Sequence, residues 1–180
     1  ATWLEFRRVL FRSDREDDDT DKPPLHVFFD IEAMQEGDGN SLHVPNLVMA
    51  ATEDDDQIYT FEGENNCMPQ FLKWLDDLTE DHTRNLIILA HNFQGYDGYH
   101  IVHEYRRQCM ELQQVRNGAK ILQLVHGKNN KKGGKLTFID SMSFFSMPLS
   151  AFPKTFGLTE LKKGFFPHLF NTRNNQDYVG

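Results

Sequence analysis

Residues 85–90, Asn-Leu-Ile-Ile-Leu-Ala, include a five-residue apolar run, with polar segments before and after. A run this short that does not alternate reads as a strand covered on both faces, the kind found where helices flank a sheet. No apolar run in the chain approaches membrane-spanning length. The neighbouring segments supply the helices. "PQFLKWLDDLT" (69–79) sets Phe71, Leu72, Leu75 and Leu78 at helical spacing behind Pro69, which suits a first turn. Residues 98–109 put Ile101, Val102 and Tyr105 on one helical face. Strands are expected over 25–32, 46–53 and 57–63, the last two joined by an acidic turn at Asp54–Asp56. "AKILQLVHG" and "GKLTFIDSM" flank the Gly/Lys/Asn-rich "KNNKKGG" and predict a long hairpin, with a short helix near 148–156. The sum is an α/β domain with a mixed sheet.

"HVFFDIEA" (26–33) then places two acids, Asp30 and Glu32, at the end of an apolar strand. Alternate side chains share a face of a strand, so both carboxylates project the same way while Ile31 points to the core. Like charges side by side repel, more so when partly buried, and a divalent cation is the usual remedy. In sheets of this class sites gather at the carboxyl ends of central strands. "HNFQGYD" (91–97) follows the buried strand directly, so Asp97 is expected to meet Asp30 and Glu32.

Charge is unevenly distributed. Residues 1–97 carry 7 Lys+Arg against 22 Asp+Glu, while residues 98–180 carry 12 against 5, giving −15 and +7 within a total of −8. A basic half beside an acidic half suits a chain that grips a phosphate backbone and holds metal ions nearby. Cys67 and Cys109 are the two cysteines and suggest no disulfide framework. With no signal peptide visible, an intracellular, reducing location is expected. Both ends read as cut. Leu4–Ser13, "LEFRRVLFRS", resembles a translated sequencing-library adapter, and "DREDDDTDK" (14–22) reads as an acidic linker, so residues 1–22 are set apart and the domain begins near Pro23.

"FFDIEA" followed by "AHNFQGYDGYHIV" resembles the first two exonuclease motifs of family B DNA polymerases. "FIDSMSFFSMPLSAFPKTFGLTELKKGFFPHLFNT" is similar to the protein-primed branch of phages, linear plasmids, viruses and Maverick/Polinton elements, most of all to the last group and related viral members. The resemblance covers about residues 24–180. It implies a ribonuclease H-like (DnaQ-like) exonuclease fold with an added β-hairpin, part of a 3′–5′ proofreading domain in a DNA-directed DNA polymerase primed by a terminal protein. It also implies two Mg²⁺ or Mn²⁺ ions, with Asp30 bridging both, Glu32 on the water-activating ion and Asp97 on the other. Asn92 and Tyr96 are implied to hold a single-stranded 3′ end, with His91 and Tyr99 as further candidates. Ser141 and Met142 match the family's Ser-Leu pair at the 3′ end, Met replacing Leu. Lys162 or Lys163 matches a lysine of the pattern Lys-x-x-hydrophobic near the scissile phosphate, and both registers fit.

The sequence also departs from the pattern. Ala33 stands where many members carry a DNA-contacting Thr, no Tyr-x-x-x-Asp third motif follows residue 141, and no polymerase palm is present. Asp140 reads as a turn or capping acid. Two other functions compete: a free-standing 3′–5′ exonuclease of the same fold, and an inactive single-stranded DNA-binding module.

Overall fold

The computed structural model describes residues 23–36, 42–79, 84–127, 134–157, 166–167, 169–176 and 178. Residues 1–22, Lys162, Lys163 and His168 lie outside the described residues, and with them the adapter-like stretch and both candidate lysines.

The described strands are β1 (Leu25–Glu36), β2 (Leu42–Thr52), β3 (Tyr59–Glu62), β4 (Leu86–Ala90), β5 (Gln113–Asn117), β6 (Lys120–His126) and β7 (Leu136–Asp140). They form one sheet in the order β3-β2-β1-β4-β7-β6-β5. β4 pairs in parallel with β1 and β7, and every other neighbour pair is antiparallel. The apolar run 86–90 is therefore the central strand, as its lack of alternation predicts. Helices α1 (Cys67–Thr79) and α2 (Asp97–Arg107) precede and follow it, and α3 (Phe152–Phe156) is a short late helix. Among the described residues no helix is long and apolar enough to cross a membrane.

Two expectations need correction. β1 does not end at Glu32: it runs to Glu36, held by β2 through a register irregularity between Glu32 and Ala33. What ends near the acids is the parallel ladder, whose last β1–β4 pair is Phe28 with Leu89. β1 thus outruns β4, and the overhang carries Asp30 and Glu32. The hairpin β6–β7 forms as expected, but β5 adds an edge strand that the mostly exposed, non-alternating "QQVRN" does not announce.

Aromatic packing ties the sheet to the helix side. Phe29 is fully buried, its ring 5.1 Å from Phe71 of α1 and 6.3 Å from Phe138 of β7. Phe93, just after β4, stacks on Phe138 with centroids 6.3 Å apart and planes at 10°. Gly98 in the first turn of α2 is required by this packing. A Cβ there would lie 2.9 Å from the Phe93 carbonyl oxygen and 3.2 Å from its ring. Gly98→Ala is expected to destabilise by about 1–3 kcal/mol, as overpacking does; urea unfolding of the two chains measures it.

Candidate active site

The carboxyl ends of the three parallel strands meet at one edge. Ala90 closes β4 opposite Asp140, the last residue of β7, while β1 continues past both. Ile31 is buried, and Asp30 and Glu32 on either side of it are half-buried on the other face, as strand alternation requires. After β4 the chain turns through a 3-10 segment (Phe93–Gly95) into α2, whose first residue is Asp97.

Asp97 is 2% exposed, and its Oδ1 is buried with no hydrogen-bond partner. Burial, and then the negative charge of Asp30, push its carboxyl up to about 8, with Asp140 adding to the rise. Backbone N–H groups of Asp97 and Ile31 act in the opposite direction without cancelling it. Tyr96 beside it is pushed up to about 12 by burial, then by Asp97, Glu32 and Asp30 in that order. One hydroxyl therefore feels all three predicted carboxylates, and the structure brings them to one locality. It does not draw them into a closed cage: among the described residues no three His, Cys, Asp or Glu side chains stand in positions to hold one ion.

The other predicted residues divide into two groups. Asn92 adopts a left-handed backbone (φ 67°, ψ 28°), which Asn tolerates better than most residues. Tyr96 Oη lies 3.3 Å from His43 Nδ1, and its ring meets His100 edge-on at 4.8 Å. Burial, and then His43 and His103, push His100 down to about 4, so it packs as a neutral ring. His91 Nδ1 lies 2.9 Å from Ser141 Oγ, and Ser141 is fully buried, so these two candidates bind each other. Met142 follows in the same turn, half-buried. Tyr99 is not brought into this group: its hydroxyl donates to the Ala119 carbonyl at 2.6 Å, tying α2 to the β5–β6 turn.

Sequence reasoning missed four contributors. His43 on β2 carried no metal-ligand spacing, and only the fold reveals its contact with Tyr96. Asn46 and Asn171, both buried, exchange amide hydrogen bonds of 2.7 and 3.1 Å, and Gln176 accepts a third from Asn46 at 2.7 Å. They anchor residues 169–176 to β2, a pairing across 125 positions that no local signal carries.

Comparison with known proteins decides the family. The family described as DNA polymerase type B, organellar and viral, matches residues 78–180. The chain belongs to this family. A probable DNA polymerase of Podospora anserina is 24% identical over 199 aligned positions, covering 84% of this chain and 16% of that protein. The chain thus spans about a sixth of that relative's length. Phi29 DNA polymerase complexed with single-stranded DNA superposes with a TM-score of 0.64 at 15% identity, over 81% of this chain and 26% of that one. The family B DNA polymerase of Pyrobaculum calidifontis gives 0.51 at 14%, over 84% and 21%. These likenesses establish the fold of this type B polymerase chain as the ribonuclease H-like α/β class. β3-β2-β1-β4-β7 makes the body of the sheet, and β5 and β6 extend it.

Proposed function

We propose that residues 23–180 are part of the 3′–5′ proofreading exonuclease domain of a protein-primed DNA polymerase serving DNA replication. The observation that carries this reading is the buried Asp97 carboxylate with a partnerless oxygen, set beside Asp30 where β1 outruns β4. A buried, partnerless carboxylate oxygen beside a second acid fits a divalent cation. Asp30, Glu32 and Asp97 would hold Mg²⁺ or Mn²⁺. A pair of such ions, when bound, supplies an activated water and stabilises the leaving oxygen. The reaction is hydrolysis of the terminal phosphodiester: water adds to phosphorus, the bond to the preceding nucleotide's 3′ oxygen breaks, and that oxygen takes up a proton.

The chain's own residues orient the strand. The Tyr96 ring, steadied by His43 and His100, offers a stacking face for an unpaired base, and Asn92 a polar contact. Lys162 or Lys163 would place a point charge near the phosphate. A fourth carboxylate and a water-orienting Tyr would come from a Tyr-x-x-x-Asp segment, a pattern that residues 142–180 do not contain. The Maverick/Polinton-like origin, the terminal priming protein and an intracellular site of action belong to the same proposal and rest on the motif resemblance.

The test is release of labelled nucleotide from the 3′ end of a single strand by the full-length protein. Release in Mg²⁺ or Mn²⁺ that stops on adding EDTA is expected. Binding of the strand without release in either metal would instead favour the inactive binding module.

A further inference from the structure

Asp140 is 1% exposed at the carboxyl end of β7, and three backbone N–H groups converge on its two oxygens. Oδ1 accepts from Asn92 N at 3.1 Å and from Met142 N at 2.8 Å, and Oδ2 accepts from Gln94 N at 3.0 Å. Capping the Ser141–Ser143 turn accounts for one of these bonds. The other two reach back 46 and 48 positions to the turn after β4. A side chain needed only to cap its own turn has no use for them.

The two turns joined in this way carry the residues assigned above to a 3′ terminus: Asn92 and Tyr96 on one, Ser141 and Met142 on the other. The contact between His91 and Ser141 is a second link between the same turns. Bonds to a carboxylate are about twice as strong as neutral ones, so the Asp140 link dominates the spacing. We propose that Asp140 is a positioning residue that fixes the placement of the Asn92–Tyr96 turn against the Ser141–Met142 turn, and thereby lets the two recognise one DNA 3′ end together. This rests on the exonuclease reading of the site. Asp140 itself touches no substrate, because its oxygens are enclosed by backbone.

The experiment compares the unaltered 180-residue chain with Asp140→Ala and Asp140→Asn. Each is titrated with a linear oligothymidylate bearing a free 3′ hydroxyl and with a circular one of equal length. Amide hydrogen exchange is read at Asn92, Gln94 and Met142. The unaltered chain is expected to prefer the linear strand. Asp140→Ala should lose about tenfold in affinity for it, the worth of roughly one charge-assisted hydrogen bond, and nothing for the circle. Asp140→Asn keeps one acceptor oxygen and should fall between the two, with Gln94 losing protection first. A merely structural role would weaken both ligands together. Should the alanine chain fail to fold, the near-isosteric Asn chain carries the comparison. A linear-to-circular ratio unchanged in a folded variant overturns the proposal while sparing the site. An unaltered chain with no preference for a 3′ end overturns the exonuclease reading, and the proposal with it.

Discussion

Asp30→Ala in the full-length protein is expected to lower nucleotide release from a 3′ end by more than about a hundredfold. Partners that merely orient metal ligands are commonly worth about 10- to 100-fold in metal affinity or activity, and under the reading proposed above Asp30 would be a ligand itself. Two features of the structure argue for so large an effect. Asp30 is the charge that contributes most, after burial, to raising the Asp97 carboxyl, so the two acids stand within strong electrostatic reach. It also lies on the part of β1 that continues past its last pair with β4. The loss should come from chemistry and not from unfolding, because Asp30 is half-buried and belongs to no apolar cluster. Melting of the variant at the parent temperature, or above it since a repulsion has been removed, checks this. Digestion at the parent rate by the folded variant would show Asp30 to be a solvated strand acid and nothing more.

The parts of the molecule that were legible in sequence are those whose signal is local. "NLIILA" reads as a buried central strand because all its side chains are apolar, and it is one. Asp30 and Glu32 share a face because strand geometry allows nothing else. Asp97 reaches them because "HNFQGYD" is too short to do anything but turn from β4 into the next helix. The Asp140 cap was visible as an acid before a Ser-Met-Ser turn, and its Met142 bond is of that local kind. Its bonds to Asn92 and Gln94 were not, since they depend on β4 and β7 ending at the same level. The same limit hid β5, an edge strand with a single partner and too little burial to impose a pattern. Asn46, Asn171 and Gln176 were illegible for a related reason. An amide is equally at home on a surface, and only the return of the chain to β2 buries this cluster.

Asp97→Asn is expected to make the fold more stable than the parent at pH 9 while leaving it nearly unchanged at pH 4. The folded chain raises the Asp97 carboxyl from 3.8 to about 8, so folding favours its protonated form. Stability from this group is therefore fully present below the unfolded value and is lost as the pH climbs through the folded one, a window of about pH 4 to 8. Above it, an ionised carboxylate is held in a site with a partnerless buried oxygen and with Asp30 close by. Asparagine has the same shape, keeps a carbonyl to accept a backbone N–H, and cannot ionise. Its advantage at pH 9 should be on the order of a few kcal/mol. The difference between the two unfolding free energies, followed by urea titration from pH 4 to 9, isolates this group because every other titration is common to both chains. A divalent cation should act on the parent alone. By favouring ionised Asp97, Mn²⁺ at pH 8 should raise the parent's unfolding midpoint in proportion to the logarithm of its concentration, and leave the Asp97→Asn midpoint nearly fixed. If the two curves run parallel across the whole range and Mn²⁺ shifts both equally, Asp97 is neither strained by its charge nor part of a cation site.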